Sequence, residues 1–227
     1  MELSRLELLT ENTGEIAKQN ILIIGLGGVG GYALEALVRS GINNITIVDS
    51  DKVEQSNLNR QLLALTSTIG KYKTDVAYKR ALLINPDINI TKVTKYLTPE
   101  NINEIDFKKF DYVLDACDTV NVKKEIIKIC TSNNIKFISC MGTGNKMNPS
   151  LLEITDIRKT SYDPLARIIR KMVKDENITA KIPVVCSKEI PIKTNSNIIG
   201  SNAFVPATAG LLMASFVINE VIYEKNI

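Results

Sequence analysis

The stretch NILIIGLGGVGGYALEALVRSGINNITIVDSD, Asn20 to Asp51, carries the clearest architectural signal in the chain. Asn20 to Ile24 is a short apolar run of strand length that breaks into glycines at Gly25. A helix-period segment starting near Gly28 follows, and a second run, Asn44 to Val48, ends in the acidic Asp49. Strand, glycine turn, helix and strand in this order make a βαβ unit, the building block of a parallel sheet.

The alternation continues downstream. Further strands are predicted at Ile88 to Val93, Asp111 to Leu114 and Lys136 to Ser139, with helices starting near Lys73 and Thr119 and a weaker one near Pro99. Asn85-Pro86 stops the helix that starts at Lys73. After Met141 the turn-rich MGTGNKMNPS breaks the pattern, and the chain then reads strand, helix, strand, loop, helix. The expectation is one α/β domain over residues 1–227: a Rossmann-like, mostly parallel sheet with helices on both faces. Residues 20–140 form its nucleotide-binding core.

Composition narrows the chemistry. The chain has no histidine, which removes Ser-His-Asp and Cys-His catalysis and every histidine metal site. Cys117, Cys130, Cys140 and Cys186 form no CxxC pair for zinc and no dense disulfide framework, so they read as reduced thiols. Met1 leads into a charged, amphipathic segment rather than a secretory signal, which points to the cytoplasm. Thr194 to Asn219 carries no charge, but its asparagines, serines and Pro206 fit a buried loop and a core or interface helix from about Ala207 better than a membrane span. Arg158 to Lys193 holds nine Lys/Arg against four Asp/Glu in a chain whose net charge is only +3. That excess reads either as a solvated face or as a surface for an acidic partner such as RNA.

Gly25-x-Gly27-x-x-Gly30 follows a strand and opens a helix, and Asp49 ends the next strand 19 residues after Gly30. Here glycines allow the backbone to approach phosphates, the helix N-terminus attracts their charge, and the acid can bond ribose hydroxyls. NAD and ATP fit this loop equally well. The next segment separates them: Asp51 is followed by SNLNRQ, with Asn59, Arg60 and Gln61, and then by IGKYK with Lys73. Cations beyond the adenosine-binding strand can meet β- and γ-phosphates and stabilise departing pyrophosphate. In DYVLDACDTV, Asp118 falls at the carboxyl edge of the sheet, where a carboxylate can hold Mg²⁺ against phosphates. Taken singly, Arg60 and Lys73 could be surface charges and Asp118 a helix cap. No tyrosine has lysine four residues later, so the proton relay of short-chain dehydrogenases is missing and an NAD-dependent oxidoreductase loses ground.

GLGGVGG, ITIVDSD, SNLNRQ, GKYK and VLDACD together resemble the ThiF-type relatives of ubiquitin-activating enzymes, which adenylate carboxylates. Beyond them, MGTGNKMNPSLLEITDIRKTSYDPLARIIRKMV is similar to the tRNA threonylcarbamoyladenosine dehydratases, as are VVCSKE and the amino-terminal SRLELL. Cys186 stands where that family usually has an aromatic. The resemblance implies that Gly25, Gly27, Gly28 and Gly30 frame the nucleotide loop and that Asp49 binds ribose, with Asp51 and Gln61 beside it. It also implies that Asn59, Arg60 and Lys73 meet the phosphates of ATP and Asp118 the magnesium. Arg5 would reach into the partner subunit of a homodimer, and residues 141–227 would bind substrate and build the dimer interface. The basic helix with Arg167, Arg170, Lys171 and Lys174 is expected to touch tRNA phosphates. A sulfur-transfer protein is a possible further partner in this superfamily. The missing zinc pair, and the lack of an obvious cysteine for acyl capture, weigh against the alternative of a sulfur-carrier adenylyltransferase.

Overall fold

Ile21 and Ile23 join one apolar cluster and Leu22 and Ile24 another, all of them nearly fully buried. A strand apolar at four successive residues must therefore be covered on both faces, which is the arrangement helices give to a parallel sheet. The computed structural model describes residues 1–223. Two short helices, α1 (Ser4–Glu7) and α2 (Thr13–Lys18), precede β1 (Asn20–Ile24), α3 (Gly30–Arg39) and β2 (Asn44–Val48). Then come α4 (Lys73–Ile84), β3 (Asn89–Val93), β4 (Tyr112–Asp115), α5 (Val120–Ser132) and β5 (Lys136–Cys140). The chain continues through β6 (Leu152–Asp156), α6 (Pro164–Asp175), β7 (Pro183–Ser187) and α7 (Val205–Tyr223).

Among the described residues these strands form one seven-stranded sheet in the order β3-β2-β1-β4-β5-β7-β6. All neighbours run parallel except β6, which lies antiparallel to β7. The segment after Met141 thus extends the same sheet. One apolar cluster gathers residues of α3, α4 and α7, and the other those of α5 and α6. The strand order reverses between β1 and β4, so their carboxyl ends diverge into a crevice.

The expected strands appear with ends displaced by about one residue. The helix expected near Gly28 starts at Gly30. The weak helix expected near Pro99 is a correction: only a 3₁₀ turn forms, over Ile102–Glu104. Asn101 is the reason, because its side chain accepts from the amide of Thr98 and donates to the carbonyl of Tyr96, competing with helical bonding.

α7 carries most of the uncharged stretch. Its length and apolarity would suffice to cross a membrane, and half of its most apolar window is buried within the protein. Ala209, Gly210, Met213, Ala214 and Val217 form its inner side, and those small residues let it pack closely on α3. The last four residues, 224–227, lie outside the described part.

Candidate active site

The glycine loop has the geometry its sequence requires. Gly25 has φ of +91°, and a Cβ there would lie 2.7 Å from the carbonyl oxygen of Ala116. At Gly30 a Cβ would fall 1.8 Å from the carbonyl oxygen of Gly25, a backbone atom that cannot swing aside. Gly30→Ala is therefore expected to displace the loop and lower the melting temperature by about 2–10 °C, the effect of overpacking a tight site. A thermal melt showing no change would mean that the loop yields freely.

Asp49 fixes the other side of the turn. Its Oδ2 accepts the Leu26 amide at 2.6 Å and its Oδ1 the Asp51 amide at 2.7 Å. Each oxygen keeps lone-pair capacity for a hydroxyl donor. Burial raises the Asp49 pKa, and the nearby Lys73 ammonium opposes the rise.

These groups open onto a cleft of about 780 Å³ at the carboxyl ends of the strands. Of the residues singled out from sequence, Gly25, Gly27, Gly28, Asp49, Asp51, Arg60, Gln61, Lys73 and Asp118 line it. Gly30 lies behind the loop, and Asn59 stands at the edge, where its side chain donates to the Ser201 carbonyl at 3.0 Å. Lys73, 5% exposed, pairs with Asp51 at 2.8 Å. The Arg60 guanidinium donates to the Ser56 carbonyl at 2.7 Å and to Asn59 Oδ1 at 2.9 Å, with no carboxylate partner among the described residues. Gln61 Oε1 is buried without a hydrogen-bond partner, an acceptor suited to a ligand's hydroxyl or amino group.

Asp118 is exposed in the cleft, on the loop that leaves β4. Beneath that loop lies an ion pair the sequence reading missed. Lys123 Nζ sits 2.7 Å from Asp115 Oδ2, both side chains are fully buried, and the Ser139 hydroxyl donates to the same carboxylate oxygen at 2.6 Å. Burial alone would drive the Lys123 pKa down, but the charge and hydrogen bond of Asp115 together with the neighbouring Cys117 and Cys140 turn the net shift upward. Burial and the neighbouring Asp115 push the Cys117 thiol well above its ordinary value, and burial pushes Cys186 up to about 11. Neither thiol is an activated nucleophile at neutral pH.

The far half of the cleft is built by Met141 to Asn145, Asp163 to Leu165, and Ile168. A second buried pair, also missed from sequence, ties these segments together: Lys146 Nζ contacts Asp163 Oδ2 at 2.7 Å and the Gly142 carbonyl at 2.6 Å. The other Asp163 oxygen caps α6 by accepting the Ala166 amide at 2.8 Å, ahead of Pro164 in the first turn. Arg167, Lys171 and Lys174 are exposed on α6. Arg170 differs from them: it is half-buried and donates to the Thr160 carbonyl at 2.9 Å and to the Thr160 hydroxyl. Arg5 lies on exposed α1 and is not among the residues lining the cleft.

Comparison with known protein families matches the ThiF family over residues 4–223. The chain is 36% identical over 245 aligned residues to the tRNA threonylcarbamoyladenosine dehydratase of Bacillus subtilis, spanning 100% of this chain and 96% of that protein. It is 34% identical to the protein of the same name from Haemophilus influenzae, over 95% of this chain and 90% of the relative. Among solved structures, E. coli tRNA N6-threonylcarbamoyladenosine dehydratase in complex with AMP superposes with a TM-score of 0.92 at 31% identity, covering 98% of this chain and 94% of that one. The complex of the same enzyme with ATP superposes equally well.

Proposed function

The chain belongs to the ThiF family, and on that footing we infer that it is an ATP-dependent tRNA threonylcarbamoyladenosine dehydratase. The observation that carries this reading is one cleft uniting the glycine loop, Asp49, Arg60, Lys73 and Asp118 with the far wall built by the Met141 loop and the start of α6. Likeness to the dehydratases over the whole chain supports the choice of substrate.

The threonyl carboxylate of the modified nucleoside attacks the α-phosphate of ATP, giving an acyl-adenylate and pyrophosphate. A nitrogen of the same side chain then attacks the activated carbonyl, loses its proton and expels AMP, so a ring closes with net loss of water. Well-oriented intramolecular attack reaches effective molarities of roughly 10⁵ M or more, and no enzyme nucleophile is needed. This agrees with the raised thiol pKa values of Cys117 and Cys186.

Arg60 and Lys73 bear on the phosphates, Asp49 on ribose and Gln61 on the nucleotide's polar edge. Asp118, exposed in the cleft and unpaired among the described residues, fits magnesium, which takes one or two carboxylates together with phosphate oxygens and water. Bound there, the ion would neutralise phosphate charge. Arg167, Lys171 and Lys174 face tRNA phosphates, while Arg170 anchors α6 to Thr160. A homodimer completed by Arg5, with the exposed Leu8 and Leu9 beside it, and a cytoplasmic location belong to the same reading.

Mass spectrometry of nucleosides from tRNA carrying threonylcarbamoyladenosine, incubated with the protein and Mg-ATP, tests the reaction. The expected result is loss of one water from that nucleoside, with AMP formed in equal amount. An unchanged nucleoside under conditions where the protein binds ATP would assign the adenylation site to another carboxylate.

A further inference from the structure

Tyr162 stands immediately before the helix cap Asp163, with φ of +59°. The Asp163 amide donates to the Ser161 carbonyl at 2.7 Å, so Tyr162 is the central residue of a left-handed γ-turn. That conformation is costly for a residue with a bulky side chain and natural for glycine. The residue gains little burial in return: Tyr162 is 61% exposed, and its hydroxyl makes no hydrogen bond among the described residues. Packing within the fold therefore does not explain why an aromatic residue occupies this turn.

Its surroundings do. The next residues, Asp163, Pro164 and Leu165, line the far half of the cleft, so the backbone of Tyr162 runs directly into the cleft wall at the start of α6, while its exposed ring lies outside the lining. Arg167, Lys171 and Lys174 are spaced four and three apart on the same helix and share one exposed face. A nucleotide that inserts its modified side chain into the cleft leaves its neighbours in the strand near this turn. Single-stranded RNA is held in such places by phosphates on cations and by a base stacked on an exposed aromatic ring.

We propose that Tyr162 is a stacking platform for the base next to the modified nucleoside, held outward by its strained turn. The proposal rests on the tRNA reading above. Tyr162 would act by positioning: it orients the RNA and takes no part in the chemistry.

Because the chain has no tryptophan, Tyr162→Trp creates a single fluorescent reporter. Titration with an anticodon stem-loop carrying threonylcarbamoyladenosine is expected to quench the indole emission. Tyr162→Ala should raise the KM for tRNA about ten-fold, in line with the loss of one stacked base, and leave the KM for ATP unchanged. Tyr162→Phe should behave as wild type, since stacking needs the ring and not the hydroxyl. Tyr162→Gly should match the alanine variant in KM and melt no lower than wild type.

If wild-type protein dehydrates tRNA but Tyr162→Ala has an unaltered KM, or the indole stays unquenched in the RNA complex, stacking is overturned and the dehydratase reading stands. Failure of wild-type protein to bind or convert the RNA would remove both. A change of oligomeric state in Tyr162→Ala, read by light scattering, would place the ring between copies of the chain and overturn the proposal.

Discussion

Arg60→Ala is expected to lower tRNA-dependent ATP–pyrophosphate exchange by at least about 100-fold, the usual effect of removing one preorganised donor from a developing negative charge. Its melting temperature should stay at the wild-type value. Both expectations follow from the side chain's partners. Arg60 bonds a backbone carbonyl and a side-chain amide, which orient the guanidinium without neutralising it. The charge therefore remains available to phosphates, and its loss strands no buried ion. Lys73 makes the contrast, because its removal would also leave Asp51 without its ion-pair partner. Arg60 is thus the cleaner probe of charge stabilisation. Exchange that survives in Arg60→Ala at the wild-type rate would remove this residue from the mechanism.

The parts of the molecule legible in the sequence are those governed by short-range pattern. Apolar runs bounded by Gly25, Asp49 and Asn85-Pro86 placed the strands and helices because burial on both sheet faces leaves no polar position from Ile21 to Ile24 of β1. That the candidate residues share one cleft was legible for a related reason: in an open α/β sheet, loops after the strands converge on one edge, so residues distant in sequence meet there. The helix expected near Pro99 failed because the side chain of Asn101 bonds the local backbone, a contest that hydrophobic periodicity does not register. Arg170 reads like its basic neighbours in sequence, yet its angular position on α6 turns it toward Thr160.

The two buried ion pairs were missed for a different reason, although one left a trace. Lys123 lies on the stripe formed by Val122, Ile126, Ile127 and Cys130, where an apolar residue belongs. A cation on the buried stripe of a helix requires an anion in the neighbouring strand, and Asp115 at the end of β4 supplies it. Lys146 has no comparable signal, since it lies within a turn-rich segment with no periodicity against which to stand out.

The Lys123–Asp115 pair carries the largest expected effect on stability. Lys123→Met keeps the shape of the stem and leaves the Asp115 carboxylate buried opposite no cation, a change that costs about 3–5 kcal/mol. For a chain of this size the melting temperature should fall by about 10 °C or more. The Ser139 hydroxyl and the Cys117 amide still bond Asp115, but neither carries the charge needed to offset its desolvation. Adding Asp115→Asn should recover most of the loss, because a neutral amide can keep those partners while no charge remains buried. Thermal melts of the wild type, the single variant and the double variant measure the difference directly. The same pair underlies the loop that presents Asp118, so the single variant should also lose pyrophosphate exchange beyond what its unfolded fraction explains. A double variant that melts normally but exchanges poorly would separate the two roles, showing that the ion pair sets the Asp118 loop as well as the fold. If the single variant melts with the wild type, Asp115 is not held as a carboxylate dependent on Lys123, and the electrostatic account of this layer fails.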